Sequence, residues 1–469
     1  MVDIISSIND KINGIVWGLP MMVLILGVGI YLTVGCGFPQ FSHFIHIMKN
    51  TLGKAFEKTE KKEGAVSPFK AMCTALAASI GTGNIAGVSG AIAIGGPGAV
   101  FWMWISALLG MCTKYAEVTL SIKYRERNEA GDWVGGPMYY IKNGLGKNWK
   151  WLGIIFAIFG ALAAFGIGNM TQVNTIASTV NTAIGEFIAT SASDKLIIAW
   201  VVSIICSVIC GIVLLGGIQR LSDVCALLVP VMAVIYIIAA IVVILVNITS
   251  VPAAFAAIFK GAFDPASVAG GLAGVGIKTA FTKGVGRGIF SNEAGLGSAP
   301  IAHAAADVDH PVKQGMFGVF EVFMDTIVVC TMTALVAILG NGLDGIEWGN
   351  DIGADLTING FMSVFPGKIA ATCVAICLSL FAISTVLTWA LYGSRCVEFL
   401  LGYKASKVYQ IVFCGFACIA GAVELKLAWA IADTLNGLMA IPNLIAVALL
   451  SPVVIKLTKE YFSGVKAKK

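Results

Sequence analysis

The sequence has little charge. Only 12% of its 469 residues are Asp, Glu, Lys or Arg, whereas 58% are apolar. A soluble globular domain or a disordered chain would need more polar surface, so both classes are excluded. The net charge of +5 is small and collects in short basic runs, such as 54–62 and 456–469, which gives no basis for nucleic-acid binding. We predict a polytopic membrane protein.

Motifs for catalysis or metal binding are also missing. The four histidines form no HExxH pair, and the twelve cysteines include no CxxC. Cysteines one helical turn apart in apolar runs, such as Cys206 and Cys210, are typical of packing residues. No GxSxG motif occurs, and Ser298 and His303 do not share a helical face. The sequence therefore predicts no enzyme and no organic cofactor.

Long apolar runs predict eleven membrane spans, because a helix of about 20 apolar residues crosses the hydrocarbon layer. They are Ile15–Val34, Phe69–Ile94, Val100–Ile122, Trp151–Thr182, Leu196–Leu215, Val224–Val246, Gly284–Ala305, Gly315–Leu339, Ile369–Val397, Val408–Val423 and Trp429–Leu457. Residues 1–13 lack a basic leader with a cleavage site, so the first span is expected to be retained.

Positive charges fall mainly on one side of this topology. With the N-terminus outside, the inner side collects the lysines of segment 49–70, the cations of 123–150 and the basic C-terminal tail. The loop 344–355 on the other side is acidic. The positive-inside rule therefore predicts a cell-membrane protein with an outer N-terminus and a cytoplasmic C-terminus.

The stretch Ser79–Gly98 is apolar but too rich in glycine for one unbroken helix. An interior glycine costs roughly 1 kcal/mol relative to alanine, so Gly81 and Gly83 predict a break. Broken backbone inside a bilayer is tolerated where protein or a wet cavity covers it, and its free amides and carbonyls offer opposite partial charges to a zwitterion. Alternatively, Gly83 and Gly87 only let two helices pack closely.

A corresponding segment, Gly284–Pro300, opens the seventh predicted span. A break is expected here at Phe290–Gly295, which places Glu293 at membrane depth, where a charge needs a cavity or a partner. Arg287 and Lys114 are both candidate partners, and a surface loop is the alternative interpretation. One span followed by two five-span units of inverted topology would place both glycine-rich segments at equivalent positions. Such paired interruptions predict a transport site.

Hydroxyl side chains mark the ninth predicted span. Ser384, Thr385 and Thr388 lie at adjacent or turn-spaced positions after Phe381. Their oxygens suit a small hard cation, although Ser and Thr also join membrane helices and bond their own preceding carbonyls. The fourth predicted span carries a further group of candidate site residues, called the polar set, which consists of Phe165, Asn169, Gln172 and Asn174.

Four blocks of sequence resemble one family of transporters. They are Gly81-Thr-Gly-Asn-Ile-Ala-Gly-Val-Ser, Lys114-Tyr-Ala-Glu-Val, Gly135-Gly-Pro-Met-Tyr-Tyr and Arg287-Gly-Ile-Phe-Ser-Asn-Glu-Ala-Gly-Leu-Gly-Ser-Ala-Pro-Ile-Ala-His. Together they resemble the alanine or glycine:cation symporter family over nearly the whole chain. The resemblance implies an all-α membrane protein with a leucine-transporter-type core of five plus five inverted helices, preceded by one peripheral helix. It also implies Na⁺-driven uptake of alanine or glycine.

Under this resemblance the chain divides into a first helix and linker (1–63), two inverted repeats (64–250 and 251–457) and a basic tail (458–469). Na⁺ would be held by oxygens of Ala77, Ile80, Phe381, Ser384 and Thr385. Substrate would lie against Ser79, Gly81, Thr82, Gly83, Asn84, Phe165, Asn169, Phe290, Ser291 and Asn292. No ligands for a second Na⁺ can be assigned.

We hypothesise a secondary active symporter whose partners are the amino acid, Na⁺ and membrane lipid, with no obligate protein partner. The alternative within the same fold is a proton-coupled carrier with Glu293 as the proton site. A channel or a ligand sensor is a more distant alternative, because the sequence contains neither a long soluble sensor domain nor a pore-lining ring of charges.

Overall fold

The computed structural model is almost entirely helical. It describes residues 2–54, 64–264, 276–346, 348–349, 354–423 and 426–467. Within these ranges the only paired strands are β1 (Glu126–Arg127) and β2 (Trp133–Val134), which form a short antiparallel hairpin. Helices dominate because a backbone inside hydrocarbon must satisfy its own hydrogen bonds.

The helices are numbered here in chain order. The N-terminal half of the chain contains α1 (Val2–Val16), α2 (Leu19–Gly35), α3 (Pro39–Ser42), α4 (Phe44–Thr51), α5 (Pro68–Ser79), α6 (Ala86–Gly95), α7 (Gly98–Lys123), α8 (Pro137–Tyr140), α9 (Lys150–Phe165), α10 (Thr171–Gly185), α11 (Ala192–Leu215) and α12 (Gly217–Val246). The remainder contains α13 (Val251–Phe263), α14 (Ile277–Asn292), α15 (Ala299–His303), α16 (Pro311–Val322), α17 (Thr331–Asn341), α18 (Asp355–Met362), α19 (Gly367–Leu401), α20 (Tyr403–Ala420) and α21 (Lys426–Ala467).

Among the described residues, eight helical segments are long and apolar enough to cross a membrane. They are Ile4–Gly35, Gly98–Lys123, Lys147–Gly185, Ala192–Leu215, Gly217–Val246, Pro311–Asn341, Gly367–Leu401 and Ala430–Val465. The pair α5 and Thr82–Gly95 forms a further candidate with a 59° bend. These nine segments coincide with nine of the eleven predicted spans. The other two predicted spans are the seventh, which corresponds to α14 together with α15, and the tenth, which corresponds to α20. The total of eleven spans stays a prediction.

Large apolar side chains cover the outer faces of several spans. Leu215 of α11 is 83% exposed and Leu227 of α12 is 71% exposed. Exposed apolar side chains of this size mark surface that contacts hydrocarbon rather than water. This exposure and the apolar spans define a multi-pass membrane protein.

The first helical segment begins earlier than its sequence suggests. The predicted span Ile15–Val34 is preceded by α1, which starts at Val2. Exposed isoleucines at positions 5, 8, 12 and 15 form one apolar stripe along α1, whereas Asn9 is buried on the protein side. Ser6, Asn9 and Asn13 are buried or half-buried on the opposite side of α1, which packs against α21, whereas Asp10 and Lys11 are exposed.

The seventh predicted span differs in position. The helix α14 begins at Ile277 rather than Gly284 and continues through Asn292, so the predicted break at Phe290–Gly295 is wrong by three residues at its start. The actual break starts at Glu293, whose φ of 56° lies in the left-handed region. The glycines inside α14 serve packing instead, since a Cβ on Gly284 would lie 2.2 Å from the Ala99 carbonyl oxygen of α7.

Candidate functional site

The predicted break in the second span is confirmed. The helix α5 ends at Ser79, Ile80 is extended with ψ of 91°, and a single 3₁₀ turn covers Thr82–Asn84 before α6 begins. The Asn84 side-chain oxygen accepts a hydrogen bond from the Gly81 amide at 2.8 Å. This bond stabilises the interrupted backbone locally, because the amide has no helical partner there.

A small enclosed cavity, called the inner cavity below, lies at this break. Of the residues predicted to contact substrate, Ser79, Gly81, Thr82, Gly83, Phe290 and Ser291 line it. It is also lined by Ala78, Ile167, Gln172, Glu293, Thr385, Trp389 and Asn436. Its volume of about 20 Å³ is near that of a single water molecule. The walls must therefore move apart before an amino acid can enter.

Two other predicted residues brace the site without lining this cavity. The Asn84 amide donates to the Asp325 carboxylate at 2.6 Å. The Asn292 amide donates to the Thr326 hydroxyl at 3.0 Å, and its oxygen accepts from the Ala294 amide at 2.9 Å. Both side chains therefore tie the interrupted helices to the eighth span.

Phe165 and Asn169, also predicted to contact substrate, are not among the residues that line the inner cavity. The Phe165 ring packs against Tyr409, Phe413 and Phe416 of α20. The Asn169 amide donates to the Phe413 carbonyl at 2.7 Å. Both residues thus join α9 and the turn after it to α20.

Gln172 and Asp325 belong to the site but were not assigned to it by the sequence. The Thr82 hydroxyl donates to the Gln172 side-chain oxygen at 3.2 Å. Asp325 is fully buried and accepts from Asn84, Ser291 and Thr326. A signal was available, since Asp325 and Glu321 are carboxylates one helical turn apart inside an apolar span.

Four oxygens converge beside the inner cavity. The Ser384 hydroxyl lies 3.1 Å from the Ala77 carbonyl oxygen and 2.8 Å from that of Phe381. The Thr385 hydroxyl lies 3.1 Å and 3.0 Å from the same two carbonyl oxygens. Ile80, the remaining predicted ligand, is at the extended corner of the break. Neutral oxygens in this arrangement can turn their lone pairs toward a hard cation.

A buried ionic chain supports the wall of the inner cavity. The Ser79 hydroxyl donates to Glu321 at 2.9 Å, and the same carboxylate lies 3.0 Å from the Lys114 ammonium and 2.9 Å from the His303 ring nitrogen. Lys114 therefore pairs with Glu321. Glu293, for which the sequence left two partners open, instead accepts from the Ser298 hydroxyl at 2.7 Å.

Interrupted membrane helices around a small polar cavity, with an oxygen cluster at its edge, define a secondary transporter. The chain belongs to the sodium:alanine symporter family, whose family model matches residues 2–469. The resemblance seen in the sequence is thereby confirmed. Membership of a transporter family also implies that the protein is not an enzyme.

The similarity to individual relatives extends over the whole chain. This chain is 47% identical over 465 residues to the sodium/alanine symporter AgcS of Methanococcus maripaludis, and the match covers 98% of both chains. It is 37% identical over 479 residues to the probable sodium/glutamine symporter GlnT of Bacillus subtilis, covering 100% of this chain and 93% of that one. The crystal structure of MhsT in complex with L-phenylalanine matches with a TM-score of 0.55 at 14% identity, covering 85% of this chain and 99% of MhsT. At that identity the match shows the fold alone.

Proposed function

We propose that this protein imports a small neutral amino acid, alanine or glycine, together with Na⁺ by alternating access. One observation carries the proposal: Thr385 lines the inner cavity and its hydroxyl also belongs to the oxygen cluster with Ala77 and Phe381. An ion held there would order the break that forms the cavity. Ion and substrate would then favour the same geometry, which is the physical basis of coupling.

The binding residues follow from the same geometry. Oxygens of Ala77, Ile80, Phe381, Ser384 and Thr385 are proposed to hold Na⁺. The residues proposed to contact the substrate are those that line the inner cavity: Ser79, Gly81, Thr82, Gly83, Gln172, Phe290 and Ser291. Asn84 and Asn292 are proposed to position the backbone of the two breaks. The similarity to AgcS, a sodium/alanine symporter 47% identical to this chain, supports a small substrate such as alanine over a larger one such as glutamine.

The membrane arrangement is part of the proposal. We place the N-terminus outside and the C-terminus in the cytoplasm of a cell membrane, as the distribution of Lys and Arg supports. Eleven spans, with inverted repeats at 64–250 and 251–457, agree with the fold likeness to MhsT. The tail 458–469 continues the last helix, α21, as far as Ala467.

Uptake into proteoliposomes tests the proposed function. An inward Na⁺ gradient is expected to drive accumulation of radiolabelled alanine, because the bound ion stabilises the substrate site. An equal K⁺ gradient across the same vesicles is the control. Alanine accumulation that is indifferent to the Na⁺ gradient would refute Na⁺ symport.

Replacement of Gly81 by alanine is expected to raise the Na⁺ concentration for half-maximal uptake by about tenfold or more. A Cβ at this position would lie 2.7 Å from the Thr385 hydroxyl oxygen and push it out of the oxygen cluster. Gly415→Ala is the matched control, because no atom lies within 4 Å of its added Cβ. Equal Na⁺ dependence in the two variants would contradict the assigned ion site.

A proton-coupled carrier is the second candidate, with Glu293 as the proton site. This candidate is favoured by two buried carboxylates among the described residues that accept few hydrogen bonds. Glu293 accepts from the Ser298 hydroxyl, and one carboxylate oxygen of Glu117 has no hydrogen-bond partner. A relative 35% identical over 476 residues is a putative sodium/proton-dependent alanine carrier protein, YrbD of Bacillus subtilis. Alanine uptake driven by a pH gradient without Na⁺ would select this candidate.

A further inference from the structure

One side chain at the inner cavity has an unused polar atom. Asn436, on the long last helix α21, lines the cavity and is buried, with 1% of its surface exposed. Its side-chain oxygen, Oδ1, is enclosed and accepts no hydrogen bond from the described residues. A buried acceptor without a donor costs free energy. A ligand that supplied the donor would remove this cost.

The hydroxyl groups of the inner cavity can also act only as acceptors toward a ligand. A hydroxyl has one hydrogen to donate. Three hydroxyls that line the cavity donate theirs to protein groups: Ser79 to Glu321 at 2.9 Å, Thr82 to the Gln172 oxygen at 3.2 Å, and Ser291 to Asp325 at 3.1 Å. The lone pairs of these three oxygens are what remains for a ligand.

The groups behind two of these hydroxyls keep them in this orientation. The Lys114 ammonium donates to Glu321 at 3.0 Å, and a carboxylate paired with an ammonium group acts as an acceptor toward Ser79. The Gln172 amide nitrogen donates to the Ile167 carbonyl at 3.0 Å, which leaves the amide oxygen for the Thr82 hydroxyl. The polarity of the cavity wall is therefore built into the fold.

An ammonium group complements this wall. It has three N–H donors and no acceptor, whereas a hydroxyl in its place has one donor and lone pairs that would face other lone pairs. The Glu293 carboxylate, which also lines the cavity, adds acceptor oxygens. A site that hydrogen-bonds a substrate N–H rejects an analogue without it, because the buried acceptors are then left unpaired.

We propose that Asn436 is a further substrate-binding residue, whose Oδ1 accepts a hydrogen bond from the ammonium group of the amino acid. The oxygens of Ser79 and Thr82 accept from the same group. The inference rests on the proposed function, because it takes the transported amino acid as the ligand of the inner cavity. It adds α21 to the helices that contact the substrate.

The test compares Asn436→Leu with Asn181→Leu in reconstituted full-length protein. Leucine has a similar shape to asparagine but no polar side-chain atom. Asn181 is the matched control, because its side-chain oxygen is also buried without a partner but it does not line the inner cavity. Initial rates of Na⁺-driven uptake are measured against the external concentrations of alanine and of glycine.

Asn436→Leu is expected to raise KM about tenfold with Vmax within about twofold, because a hydrogen bond to a charged group is lost. The factor is expected to be the same for alanine and glycine, since both carry the ammonium group. The Na⁺ concentration for half-maximal uptake is expected to change less than about twofold. A KM equal to that of Asn181→Leu, or an increase for alanine alone, would overturn the assignment.

Asn436→Asp distinguishes the two ends of the side-chain amide. Aspartate keeps an acceptor oxygen and is expected to recover most of the lost affinity, whereas a contact made by the amide nitrogen to the substrate carboxylate would make aspartate worse than leucine. Equilibrium binding of radiolabelled alanine to the purified variants gives the same comparison if either variant does not transport. Aspartate that binds alanine more weakly than leucine does would overturn the proposal.

Lactate, which has a hydroxyl in place of the ammonium group, tests the polarity of the cavity wall. About a hundredfold excess of lactate over alanine is expected to leave alanine uptake by the unchanged protein nearly unaffected. Inhibition by lactate as strong as that by unlabelled alanine would contradict ammonium recognition. Na⁺-driven alanine uptake by the unchanged protein would still support the proposed function in that case, so the two proposals fail separately.

Discussion

Replacing Thr385 with alanine is expected to raise the Na⁺ concentration for half-maximal alanine uptake by about tenfold to a hundredfold. The Thr385 hydroxyl lies within 3.1 Å of the Ala77 and Phe381 carbonyl oxygens and lines the inner cavity. A hydrogen bond or ligand contact to a charged group contributes about 1.5–3 kcal/mol, and 1.4 kcal/mol corresponds to a factor of ten. Uptake by reconstituted protein is measured over a series of Na⁺ concentrations at fixed alanine.

Two controls separate this ligand role from a general loss of stability. Thr385→Ser keeps the hydroxyl and is expected to retain a Na⁺ dependence near that of the unchanged protein. Thr372→Ala removes a half-buried threonine of the same helix, α19, whose hydroxyl bonds the Lys368 carbonyl of its own turn at the protein surface. If Thr385→Ala matched Thr372→Ala in Na⁺ dependence, the cation site would lie elsewhere.

Replacing Asp325 with asparagine is expected to lower the maximal rate of alanine uptake by about a hundredfold. The carboxylate accepts from Asn84 at 2.6 Å, from Ser291 at 3.1 Å and from Thr326 at 2.7 Å. Asn84 belongs to the first break and Ser291 to the helix end before the second, so Asp325 joins both interrupted helices. Asparagine replaces one carboxylate oxygen with an NH₂ group, which cannot accept a hydrogen bond from Asn84, Ser291 or Thr326. Each buried donor left without an acceptor costs about 1–3 kcal/mol.

The variant Asp344→Asn is the matched control, because it makes the same chemical change at an exposed position. Initial rates at saturating alanine and Na⁺ are compared for equal amounts of reconstituted protein. Thermal unfolding of both purified variants shows whether Asp325→Asn is folded at the assay temperature. Uptake by folded Asp325→Asn within about threefold of the control would show that the link between the two breaks is dispensable.

The two interruptions differ in how far the sequence could locate them. In the second span, Gly81 and Gly83 flank a threonine, and Asn84 caps the free Gly81 amide within the same turn, so the cause is local. In the seventh span, glycines occur on both sides of the break. Gly284 fits the close approach of α7, whereas Gly295, with φ of 93°, belongs to the break itself. Only the packing of α14 on α7 distinguishes these two uses of glycine.

The fourth span shows the same limit for single side chains. The polar set on this span was visible in the sequence, but Asn169 bonds to the Phe413 carbonyl whereas Gln172 reaches Thr82 at the inner cavity. A π-helical turn at Gly166–Met170 adds a residue to the helical repeat and rotates the residues after it. A regular helical projection therefore does not predict which member of the set reaches the inner cavity.

The sequence by itself determined the membrane class, most of the spans, the first interruption and the transporter family, because composition, apolar length and glycine placement act within a few residues. Only the tertiary structure decided that Lys114 pairs with Glu321, that Asp325 joins the two breaks and that α1 packs against α21. The physical reason is distance along the chain: these groups lie on helices separated by tens to hundreds of residues, and their contacts depend on how the helices pack and rotate against one another.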